Sequence, residues 1–228
     1  MATAQPPRQR PHPPVEEAVV SDQQDALLSW PLQRPALAVW QRCPPKNVTA
    51  AAERLAEVRQ AAEYRFNWRP DTGPMDFIEV FSKLDRHLSL PALHALSDDA
   101  HTLMNLAARL AKSLQPELNA DELGVRIERV IGDGCRLFHV DRLSARLICT
   151  WTGPGTEWLP EGSFDRAGLG CGCNDHVLDP DASRQIPTGA VALLRGDLCR
   201  GHEGGGLVHR SPPAQAGVRR VLMAVDFR

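Results

Sequence analysis

Two spacings of apolar residues divide the chain. From residue 47 to about 118 they recur every three or four positions. "NVTAAAERLAEVRQAAEYRF" opens with Asn47 as an N-cap and lines Val48, Ala52, Leu55, Val58 and Ala62 along one helical face, carrying Tyr64 near its end. "GPMDFIEVFSKLDRHLSL" (73–90) does the same with Phe77, Val80, Phe81 and Leu84, and Pro91 limits it. "SDDAHTLMNLAARLAKSLQPEL" (97–118) predicts a third helix, capped by Ser97. From Gly124 the period falls to two, and β-branched residues between glycine and proline breaks predict strands at 123–131, 136–151 (whole or broken near Arg142–Ser144), 190–197, 205–211 and 219–227. A short apolar run at 35–42, followed by Pro44 and Pro45, predicts one earlier strand. Helices first and strands after predict an α+β fold, with helices packed on an antiparallel sheet or small barrel.

Composition sets the limits. Residues 1–25 are rich in Pro, Gln and Arg and read as a disordered tail, leaving 26–228 as a single domain, mainly helical over 26–120 and β over 121–228. A formal net charge of −2 provides no basic field, so no nucleic-acid partner is expected. No apolar run approaches twenty residues and the N-terminus lacks a secretory apolar core, so the expectation is a cytoplasmic protein without a membrane partner. Six scattered cysteines read as reduced thiols. The exception is "CGCNDH", where Cys171, Cys173 and His176 stand close enough to be a candidate second metal site, for zinc.

The candidate chemistry begins in "FHVDRLSARLICTW" (138–151). Residues two apart on a strand face the same way, so His139 and Asp141 lead a face continued by Leu143, Ala145, Leu147, Cys149 and Trp151. Burying a carboxylate beside an imidazole costs several kcal/mol, roughly, unless something compensates, and a metal ion compensates both. "GGGLVHRSPP" offers His209 as a third ligand; two histidines and a carboxylate form the facial triad of non-haem Fe(II) oxygenases. On the last strand Arg219 is the one charge on the face of Val221, Met223, Val225 and Phe227, a guanidinium fork placed to grip a carboxylate.

These segments carry a resemblance. H-x-D at 139–141, then "RLICTWTGPGTEW", "PTGAVALLRGD" and "HRSPPAQAGVRR", look like the double-stranded β-helix core of Fe(II)/2-oxoglutarate dioxygenases. More narrowly, "CRLFHVDRLSARLICTWTGPGTEWLP" with "GLVHRSPP" resembles the bacterial domain-of-unknown-function 1826 family, from about residue 30 onward. The resemblance implies a cupin-like, jelly-roll core in the C-terminal half with helices from the N-terminal half packed on it. It implies Fe(II) at His139, Asp141 and His209, and 2-oxoglutarate at Arg219, with Arg220 the fallback should the register slip. Trp151 stands where the dioxygenase pattern often has a cosubstrate-binding tyrosine. The expected activity is hydroxylation of a small molecule or protein. The alternative is a non-redox zinc-binding or zinc-sensing module in metal homeostasis, and a metal-free scaffold is a third reading.

Overall fold

Seven strands make the larger of two sheets in the computed structural model, which describes residues 17–114, 122–132 and 134–228. In chain order the elements are β1 (Ala18–Ser21), α1 (Asp25–Leu28), α2 (Trp30–Gln33), β2 (Leu37–Trp40), α3 (Lys46–Ala56), β3 (Ala62–Trp68), α4 (Phe77–Leu84) and α5 (Leu90–Leu114). There follow β4 (Leu123–Ile131), β5 (Ala145–Thr152), β6 (Glu157–Trp158), β7 (Arg184–Gln185), β8 (Val191–Arg195), β9 (His209–Arg210) and β10 (Arg219–Phe227). The large sheet runs β1-β2-β8-β5-β10-β4-β3, antiparallel except for the β1–β2 pair, and the small sheet runs β7-β6-β9.

Both faces of the large sheet are buried, each for its own reason. One face presents Leu147, Cys149, Trp151, Val221, Met223, Val225 and Phe227 to the helices, where Leu55, Phe77, Phe81, Leu96 and Leu103 complete the main core. The other presents Ile148, Ala192, Leu194, Leu222 and Ala224, which meet Trp158 and Leu207 on the small-sheet side. Two sheets face each other in jelly-roll fashion, and the helices cover the outside of the larger one.

Local signals account for most helix ends. In α3, Val48, Ala51, Ala52 and Leu55 are buried at helical spacing. The helix starts beyond Pro45, so Asn47 lies inside it and caps nothing. It stops at Ala56, well short of the expected end, because Tyr64, Phe66 and Trp68 alternate with Glu63, Arg65 and Asn67 and build strand β3 against β4. Asp76 caps α4 by accepting a hydrogen bond from the Glu79 N–H at 3.0 Å. Helix α5 begins before the expected Ser97. Ser89 Oγ accepts from the Ala92 N–H at 3.4 Å, and Pro91 sits in the first turn of this helix; it does not limit the one before, since α4 has already ended at Leu84. Residues 115–118 of the expected third helix lie outside the described residues.

β4 and β10 carry the predicted bounds. The β core is not confined to residues 121–228, since β1, β2 and β3 supply three of the seven large-sheet strands. β1 falls within the stretch expected as a tail, of which residues 1–16 lie outside the described residues. Among the described residues no helix is long and apolar enough to cross a membrane.

Candidate metal centre

The arm before β5 brings the first two predicted ligands to the third. His139 and His209 form an antiparallel bridge, each N–H donating to the other's carbonyl at 3.0 and 2.9 Å. Phe138 turns away from this point into a small cluster with Leu159, Phe164 and Val208, so alternation sends His139 inward. The Asp141 carbonyl accepts from the Asp197 N–H at 2.8 Å, tying the arm to the glycine-aspartate turn after β8. Gly206, three residues before His209, has no room for a side chain, since a Cβ there would stand 2.2 Å from Val140 Cγ1. The arm and the His209 strand therefore pack backbone to side chain.

His139, Asp141 and His209 place one ligand atom each within 4.8 Å of one another, and they are the group of this kind among the described residues. His139 Nδ1 is 2.9 Å from the Leu137 carbonyl oxygen and His209 Nδ1 is 3.0 Å from the Leu207 carbonyl oxygen. A carbonyl only accepts, so each Nδ1 carries the proton and each Nε2 offers its lone pair. Both Nε2 atoms face the Asp141 carboxylate, at 3.9 Å for His139 and 3.3 Å for His209. Asp141 Oδ2 is buried without a well-angled hydrogen bond, although Arg146 Nη1 approaches it as an ion pair at 2.7 Å. Two lone pairs and a carboxylate oriented on one another are a donor set that a divalent cation satisfies.

The electrostatics agree with that donor set. Burial by itself raises the Asp141 carboxyl, but the facing His209 ring, when a proton also sits between its Nε2 and the carboxylate, with Arg146 and His139 behind it, outweighs burial and holds the group below the usual carboxylate range; that proton is what a bound cation would displace. Burial, then the neighbouring His209, lowers His139, against the Leu137 carbonyl and Asp141, a shift toward the neutral ring.

A cavity of about 480 Å³ opens beside the ligands, running from His139, His209 and Arg146 past Ile148, Leu222 and Arg220 toward Arg126 and Glu128. Among the arginines on its walls, Arg220 is the one on β10. That side chain is 5% exposed, its Nε and Nη1 have no hydrogen-bond partner among the described residues, and Nη2 stands 3.5 Å from Thr156 Oγ1. Burial pushes its guanidinium down to about 10, with Glu128 and Glu157 opposing the shift. Gly153, at φ +80°, lets the chain pass close to this strand; a Cβ would lie 2.9 Å from Arg220 Cγ.

Several predicted positions lie elsewhere. Arg219 points to the helix side, where Nη1 donates to the Ala56 and Glu57 carbonyls at 3.1 and 3.2 Å, so the fallback Arg220 is the one that lines the cavity. Trp151 packs edge-on against Phe81 in the helix-side core, and its Nε1 donates to Asp99 Oδ2 at 2.6 Å, on the opposite face of the sheet from the ligands. The face expected to join His139 to Trp151 does not exist as one surface, because the bend at 142–144 reverses the alternation before β5 begins. Tyr64 is in β3, not in a helix. Cys171 and Cys173 are bonded to one another as a disulfide, so the two sulfurs are not thiolate ligands, and His176 is buried with neither ring nitrogen hydrogen-bonded. Arg146, which joins Asp141 to Asp226, escaped the sequence argument; the usable signal was an arginine and an aspartate on inward positions of neighbouring strands.

Residues 21–226 match the model of the family described as "Protein of unknown function (DUF1826)". No curated protein sequence matches the chain. Among solved structures, a rice dioxygenase for auxin oxidation aligns with a TM-score of 0.50 at 15% identity, covering 93% of this chain and 82% of that one. A Pseudomonas putida prolyl-4-hydroxylase aligns with a TM-score of 0.46 at 11% identity, over 90% of this chain and 97% of that one. The first of these likenesses establishes a dioxygenase-like fold; at that identity it establishes the fold alone.

Proposed function

The chain belongs to the DUF1826 family, and we propose that it is an iron(II)- and 2-oxoglutarate-dependent oxygenase that hydroxylates a small molecule or a protein side chain. One observation carries the proposal. Two histidines with their Nε2 lone pairs exposed converge with Asp141 at the edge of a cavity whose wall holds Arg220, a buried guanidinium with two nitrogens lacking a hydrogen-bond partner among the described residues.

His139, Asp141 and His209 would hold the ion from one side, a ligand set that leaves positions open for cosubstrate and O2. When bound, iron(II) supplies the activation of O2 that is coupled to oxidative decarboxylation of 2-oxoglutarate. The rest falls to the chain. Arg220 offers a planar fork to the far carboxylate of the cosubstrate, and the adjacent Thr156 hydroxyl adds one more polar group. Ile148 and Leu222 give the same cavity an apolar stretch of wall. Each carbonyl behind His139 and His209 keeps the proton on Nδ1, so Nε2 stays available as a ligand.

The test is an anaerobic titration with Fe(II) and then 2-oxoglutarate. The wild type should develop a weak visible charge-transfer band that His139→Ala lacks and that Arg220→Leu reaches only at far higher cosubstrate. A wild type without the band overturns the proposal. Zinc at one equivalent in protein from native cells, with no 2-oxoglutarate consumed, would mark a non-redox metal-binding module instead.

A further inference from the structure

Arg146 stands between two carboxylates and belongs to neither alone. Its Nε and Nη2 donate to the two oxygens of Asp226 at 2.6 and 3.1 Å, and its Nη1 lies 2.7 Å from Asp141 Oδ2. The three side chains are 13, 23 and 12% exposed in the order Arg146, Asp226, Asp141, so the ion pairs are largely shielded from water. Arg146 is opposite Asp226 in the β5–β10 register, so backbone pairing of two central strands sets its position. Asp141 is in the irregular arm, and its side chain has no such ladder to orient it.

From this arrangement we infer that Arg146 is a positioning residue for the metal ligand Asp141. Anchored on Asp226, its guanidinium fixes the Asp141 carboxylate with Oδ2 3.3 Å from His209 Nε2 and Oδ1 3.9 Å from His139 Nε2, so that the carboxylate would be presented to the ion in one orientation. The inference rests on the reading of His139, Asp141 and His209 as a metal site. It extends that reading to the residue that decides how the carboxylate is presented.

Charge and geometry make opposite predictions here, which is what makes the role testable. A guanidinium beside a cation repels it, so a residue acting only through its charge would tighten metal binding when removed. A residue that orients a ligand weakens binding when removed, and loss of such partners typically costs about 10- to 100-fold in affinity.

The experiment titrates metal-free protein with Co(II), reading affinity by calorimetry and ligand geometry by the visible absorption of the bound ion, in wild type, Arg146→Gln and Arg146→Lys. Arg146→Gln should bind about 10- to 100-fold more weakly with altered absorption bands. Arg146→Lys keeps the charge but has no fork to hold Asp226 at two points while reaching Asp141, so it should also bind more weakly than wild type. Unchanged or tighter binding in either folded variant overturns the inference; should Arg146→Gln fail to fold, Arg146→Lys decides by the same criterion. A wild type that takes up no Co(II) overturns the metal-site reading and this inference together, whereas wild-type binding matched by Arg146→Lys overturns the inference alone.

Discussion

Arg42 and Arg220 are both buried at the large sheet, on opposite faces, and they are treated in opposite ways. On the helix side, Arg42 donates to both oxygens of Asp99 at 2.6 and 2.7 Å and to the Gly189 carbonyl at 3.1 Å, while Trp151 Nε1 donates to the same carboxylate. Burial would lower this guanidinium, but Asp99 and Cys149 outweigh it and raise it above its ordinary value. On the cavity side, Arg220 has a single distant hydroxyl and is pushed down to about 10. A charge that serves the fold is closed by protein groups. On the reading proposed above, a charge kept for a guest is left open, and the fold would bear its desolvation until the guest arrives.

The sharpest way to break the comparison is to remove one member of each set and unfold the protein in urea. Asp99→Ala strands Arg42 and takes the Trp151 acceptor with it, and should cost about 3 to 5 kcal/mol. Arg220→Leu removes a guanidinium with little to lose and should leave the metal-free protein as stable as wild type or more so. An equal loss in both variants would erase the distinction between the two faces.

A smaller effect should appear in acid. The folded Asp141 carboxyl is depressed, so its stabilisation is complete above the unfolded value near 3.9 and is lost as pH falls through the lower folded value. The stability gap between metal-free wild type and Asp141→Asn, on the order of 1 to 3 kcal/mol, should therefore narrow as pH drops from about 5 toward 2. A gap that stays constant, or widens, would show that the cavity-side cluster does not stabilise the ionised carboxylate. The smallest effect is one of reactivity. Exposed Cys43 and Cys135 should take up a thiol reagent at pH 8, and Cys149, which burial pushes up to about 11 against the opposing charge of Arg42, should stay unlabelled until the protein unfolds. Early labelling of Cys149 would mean that the helix side is as open as the cavity side.

The same two faces explain what could be read from the sequence. β4 and β10 were legible to the residue because period-two alternation is strong and glycine or charge marks their ends. The triad was legible because H-x-D followed by a glycine-flanked histidine constrains chemistry whatever the path of the chain between. Which face of β10 meets the cavity was not. Val221, Met223, Val225 and Phe227 look like the inside of a barrel, yet they pack on helices, while Leu222 and Ala224 on the other face are also buried. Alternation sorts residues into two sets without saying which set faces the site, so Arg219 and Arg220 exchanged roles and Trp151 left the cavity. Strand β3 was lost for a related reason. Alanines and glutamates before it extend the helical period past Ala56, and only the aromatic alternation at Tyr64, Phe66 and Trp68 signals the change. Asp99 meets Arg42 and Trp151, 57 and 52 residues away, and Arg146 meets Asp226, 80 residues away, each in a different element, which no local pattern encodes.

Each ligand histidine leans on the carbonyl two residues before it, Leu137 for one and Leu207 for the other. Ring plane and tautomer are thus settled by the backbone during folding, and the ordering entropy of the ligands is charged to the native state before any ion is present. On the reading proposed above, a receptor assembled in advance would exchange its ion without unfolding, and its occupancy would follow the free concentration of the metal around it.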